Sequence, residues 1–81
     1  MVIDSSNNHS VVVKFDDNGN KVLHCEVLTW TPTLKQRLQS LLHSLGRCYT
    51  TVDNSHSVKF NLLLGATVVG VQEGYTILRY N

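Results

Sequence analysis

Residues Thr50–Tyr80, TTVDNSHSVKFNLLLGATVVGVQEGYTILRY, carry the reading that decides the fold. Arg47–Val52 is a short strand by composition, rich in β-branched residues. Asp53-Asn54-Ser55 is a cluster of helix-capping side chains, so a helix starts there. Val58, Leu62 and Leu63 supply its apolar face, and Gly65 stands where a left-handed helix stop is expected. Ala66–Gln72 then reads as a strand, Glu73-Gly74 as a tight turn and Tyr75–Tyr80 as the last strand.

Working back from there, Thr31-Pro32 is a helix start: a hydroxyl to cap the first amides, then proline where its missing N–H costs nothing. Leu34, Leu38, Leu41, Leu42 and Leu45 form one stripe of an amphipathic helix, and Gly46 ends it. Lys21–Trp30 is a strand whose alternation puts Val22, His24, Glu26, Leu28 and Trp30 on one face. Val11–Phe15 is a β-branched run, joined to it by a turn at Asn18-Gly19. Met1–Ser10 is polar after Ile3 and reads as an N-terminal arm, leaving 11–81 as one small domain. The predicted order is β-hairpin, α, β, α, β-hairpin: an α/β fold with a mixed sheet of about five strands and two helices.

With 81 residues and a net charge of +1, the chain presents no electrostatic case for nucleic acid or an anionic membrane. The longest apolar runs, such as Val11–Val13 and Leu62–Leu64, are three residues, too short to span a bilayer. The start MVIDSSNNHS lacks the basic and apolar segments of a secretory signal, so the expectation is a cytoplasmic protein with Cys25 and Cys48 reduced.

No catalytic constellation stands out. The His and Cys residues lack C-x-x-C or H-x-x-x-H spacing, so no metal site is expected. His24 and Glu26 sit two apart on one strand face and could form a general-base pair, but no nucleophile or oxyanion donor set accompanies them. A solvated or partner-facing sheet surface is the preferred reading. The junction Leu28-Thr29-Trp30-Thr31-Pro32-Thr33 has no glycine with which to wrap a phosphate.

The element order from Val22 to Tyr80, with Asn54 eleven residues before Gly65, resembles the C-terminal half of the GNAT-type N-acetyltransferase superfamily. In that family a strand leads into an acetyl-CoA helix, then a strand, a helix starting near an asparagine, a glycine and a closing hairpin. The departures are specific. The family's Q/R-x-x-G-x-G/A pyrophosphate loop is replaced by Trp30-Thr31-Pro32-Thr33. The tyrosine that protonates the departing thiolate is replaced by Asn61, and the aromatic residue after the glycine by Ala66. The N-terminal helices that build much of the acceptor site have no room before Val11.

What the resemblance implies is therefore a half-size, non-catalytic structural or interaction protein. Small acetyltransferase-like proteins occur among the internal proteins of short-tailed phages, so a virion or other large assembly is its expected setting. No cofactor is expected, and the partner is another protein or a second copy. His24, Glu26, Trp30, Tyr75, Arg79 and Tyr80 are the expected contact residues, because aromatic residues and arginine dominate interface cores. The alternative is a minimal acyl-CoA-binding protein or N-acetyltransferase, holding acetyl-CoA at Thr31, Thr33 and Lys35 with Glu26 as base.

Overall fold

The computed structural model describes every residue from Met1 to Asn81. In chain order the elements are β1 (Val2–Ser5), β2 (His9–Phe15), β3 (Lys21–Val27), α1 (Pro32–Leu45), β4 (Cys48–Val52), α2 (Ser55–Leu63), β5 (Thr67–Gln72) and β6 (Tyr75–Tyr80). The six strands form one sheet in the order β1-β2-β3-β4-β6-β5. Only β3 and β4 run parallel, linked by α1. The fold is α/β, with a mixed sheet and two helices.

Helix α1 follows the leucine stripe. Thr31 Oγ1 accepts the Leu34 amide at 3.1 Å, and Leu34, Leu38 and Leu42 are buried. Its C-terminal carbonyls find partners in tertiary structure: Lys21 Nζ donates to the Leu45 carbonyl at 2.6 Å, and Asn81 Nδ2 donates to those of Leu42 and Gly46. The lysine also places its charge at the negative end of the helix dipole.

Helix α2 departs from expectation. Leu62 and Leu63 face outward, and the residues turned to the sheet are Asn61 and, just past the helix, Leu64. The reason is a polar chain: Tyr80 Oη donates to Asn61 Oδ1, and Asn61 Nδ2 donates to the Ser57 carbonyl at 2.7 Å. Once its carboxamide is satisfied, Asn61 occupies the core-facing position without an unpaired polar atom.

The N-terminal ten residues are not an arm. Val2–Ser5 adds a sixth strand on the free edge of β2, with Ile3 packed against the core, and β2 itself begins at His9. Side-chain chemistry rather than a hydrophobic run secures this strand. Asp4 accepts from Arg37 Nε at 2.9 Å and Nη2 at 2.5 Å, tying β1 to α1.

The β2–β3 turn is also longer than expected. Gly19 alone takes positive φ, and Asp16 gathers the Asn18 and Asn20 amides on its carboxylate. The two-residue hairpin with both φ positive is Glu73-Gly74 instead, at 51° and 83°.

Register fixes which side of the sheet each residue takes. The core joins Val11, Val13, Leu23, Cys48, Leu78 and Tyr80 to the leucines of α1 and to Leu64 and Ala66 after α2. Both helices therefore cover the same face. The opposite face carries Val12, Val22, His24, Glu26, Tyr49, Thr51, Ile77 and Arg79, and no element of the chain packs over it.

Candidate functional site

Two surfaces follow from this architecture. The first is a groove of about 610 Å³ between the start of α1 and α2. Its walls are Trp30, Pro32, Phe60 and Leu63, and its polar groups are Thr31, Lys35, His56 and Lys59. Trp30 and Phe60 rest ring against ring, centroids 3.8 Å apart and tilted by 50°. The link that positions Trp30 is clamped from the N-terminal strands: the Asn8 side chain accepts the Thr29 amide at 2.8 Å and donates to the Thr29 carbonyl at 2.5 Å. An apolar trough with lysines at its margins suits an amphiphilic anion.

Phe60 also borders a second cavity of about 270 Å³ at the gap between β3 and β4. The two parallel strands share one registered pair, Val22 with Tyr49, and then diverge. Cys25, Thr50 and Asn61 line that gap. Burial, reinforced by the charges of Asp4 and Glu26, pushes the Cys25 thiol up to about 11, and burial raises Cys48 as well. Neither cysteine is an activated nucleophile, which requires a depressed pKa.

The second surface is the bare sheet face. His24 Nε2 and Glu26 Oε1 lie 3.1 Å apart there, with side chains 69% and 73% exposed. Tyr75 and Arg79 belong to the same face by register, Tyr75 opposite Gln72 and Arg79 opposite Tyr49. Four of the six expected contact residues are thus brought together.

The other two are not. Trp30 lies beyond the end of β3, in the groove on the helix side, because the strand stops at Val27. Tyr80 is 2% exposed and belongs to the core, its hydroxyl consumed by Asn61. The acetyl-CoA set separates as well. Thr31 and Lys35 line the groove, Thr33 is exposed outside it, and Glu26 points away from the helices, so it cannot serve as base for a ligand held there.

A cluster that sequence reading passed over lies at the β1–β2 turn. Ser6 Oγ is 2.8 Å from His9 Nδ1, and His9 Nε2 is 2.9 Å from Asp4 Oδ2. The order serine, histidine, aspartate is that of a hydrolase relay. Here it acts as a latch. Ser6 Oγ also accepts the Asn8 amide at 3.0 Å, none of the larger cavities reaches it, and Arg37 occupies the Asp4 carboxylate. Hydrogen bonds from Arg37 and then His9 hold Asp4 down at about 2, so its carboxylate is an ionised acceptor shared between the guanidinium and the imidazole. Three residues of a six-residue segment give no periodic signal, so only the folded turn reveals their meeting.

No group of three or more His, Cys, Asp or Glu side chains converges as metal ligands would. No helix is long and apolar enough to cross a membrane. No family model, no characterised protein and no solved structure matches the chain.

Proposed function

We propose that this chain is a non-catalytic structural or interaction protein of truncated acetyltransferase-like architecture, working as a component of a larger assembly such as a phage virion. The observation that carries the reading is the bare sheet face. A six-stranded sheet covered by helices on one side only leaves half-buried Val12, Val22, Tyr49 and Ile77 beside solvent. Soluble proteins hide such faces by pairing. The resemblance of Val22–Tyr80 to the C-terminal half of the acetyltransferase superfamily supports the reading, as do its departures at Asn61 and Ala66. Asn61 is engaged with Tyr80, and the cysteines are held protonated, which agrees with a non-catalytic role.

The test is whether the face behaves as a docking surface. The purified chain is sized across a concentration series and titrated with a hydrophobic dye, beside Val22→Lys. Association or dye binding that Val22→Lys abolishes supports the reading. A stable monomer whose face binds no dye overturns it.

A second reading, a minimal acyl-CoA-binding protein, is favoured by the groove at Trp30 and Phe60 with Lys35 and Lys59 at its margin. Calorimetry with acetyl-CoA separates the two. Binding at about micromolar affinity would replace the structural reading, and no heat at millimolar ligand removes the acyl-CoA reading.

A further inference from the structure

We propose that the partner covering the bare sheet face is a second copy of the same chain, stacked face to face about a two-fold axis that runs across the strands. This rests on the docking reading above and commits it to one occupant.

The pairings divide the face into three rows. The first holds Lys14, paired with Val22, then Tyr49 and Arg79. The middle row holds Val12 opposite His24 and Thr51 opposite Ile77. The third holds Ser10 opposite Glu26 and, on the far side, Tyr75 opposite Gln72. Both cations of the face lie in the first row. Its carboxylate lies in the third.

That polarity selects the geometry. A two-fold axis along the strands exchanges β2 with β6 and sets Lys14 over Arg79 of the other copy, like charge on like. An axis across the strands exchanges the first row with the third. Lys14 then meets the edge that carries Glu26, and Arg79 meets Tyr75, whose ring face attracts a guanidinium. The middle row lies near the axis, where Val12 and Ile77 meet their own counterparts. Aligned sheets pack within about 30° and about 10 Å apart, with side chains of the two faces interleaved. The result is a centre of Val12, His24, Thr51 and Ile77, each near its own counterpart, with Lys14, Arg79 and Glu26 at the margins. An isologous two-fold contact also closes on itself, leaving no further bare face.

Sedimentation equilibrium of the full chain tests this, using charge exchanges at two exposed positions that leave the core untouched. The wild type sediments as a dimer. Lys14→Glu and Glu26→Lys each weaken it by about tenfold or more, as like charges face each other across the contact. The double variant Lys14→Glu/Glu26→Lys restores association to within about threefold, which loss of folding in either single variant could not do. A dimer indifferent to these exchanges overturns the proposal. A monomer that still binds hydrophobic dye at Val22 overturns self-pairing while the docking reading stands; a monomer that binds none removes both.

Discussion

Tyr80 Oη donates a hydrogen bond to Asn61 Oδ1 between the last strand and the second helix, where Tyr80 is 2% and Asn61 7% exposed. This bond turns a polar residue into the inward-facing position of α2 and joins β6 to it. Tyr80→Phe leaves the Asn61 oxygen buried without its donor, and Asn61→Leu leaves the hydroxyl without an acceptor. Each is expected to cost about 1–3 kcal/mol in urea unfolding. Tyr80→Phe/Asn61→Leu, which removes both polar partners, should cost less than the two single changes added together. Strict additivity of the two single changes would count against the bond.

Asp4 sets the acid sensitivity of the β1–α1 contact. Its carboxyl is held at about 2, below an ordinary value of 3.8, by Arg37 first and His9 second. A depressed native pKa adds stability above the unfolded-state value and loses it as pH falls through the native one. The contribution is therefore complete above about pH 5 and fades between about pH 4 and pH 2. Because Arg37 stays more than half exposed, its magnitude is on the order of 1 kcal/mol. Asp4→Asn should lower stability at neutral pH by that amount and converge with the wild type near pH 2. A difference that stays constant with pH would rule out the ionised pair as its cause.

The same region shows where sequence reading reaches its limit. The leucine stripe of α1, the stop at Gly65 and the final hairpin are legible because each is a local pattern: a 3.6-residue period, a glycine at positive φ, two strands about a turn. Strand β1 has only Val2 and Ile3 as an apolar signal. Its anchor is Arg37, thirty-three residues away. Asn61 likewise reads as a surface residue until Tyr80 is placed beside it.

At the candidate surfaces the alternation of β3 correctly groups His24 with Glu26, but it fails for Trp30. The strand ends at Val27, and the alternation does not continue through an irregular link. The bareness of one sheet face is a property of where two crossovers land, and no single segment encodes it.

That irregular link has its own test. Asn8 donates to and accepts from the Thr29 backbone, and its carbonyl accepts the Leu28 amide at 2.8 Å. Asn8→Ala removes the side-chain pair but keeps the backbone bond. Stability should fall by about 1 kcal/mol, and the Thr29 amide should exchange with solvent faster while amides of α1 beyond its first turn are less affected. Unchanged exchange at Thr29 would mean that the side chain does not hold the link.

Trp30 can report which of the two surfaces is used, because it is the sole tryptophan and lines the groove rather than the bare face. It is 37% exposed and touches Phe60, so a ligand entering between α1 and α2 must change the water around the indole or part the two rings. Self-association through the opposite face of the sheet does neither. Raising protein concentration through the dimerisation range should therefore leave the emission spectrum unmoved. Acetyl-CoA seated in the groove should shift it, with an affinity that Lys35→Ala/Lys59→Ala lowers by about tenfold through loss of two cationic contacts. A spectrum that moves with protein concentration alone would place the contact between copies at the groove and displace the sheet-face arrangement.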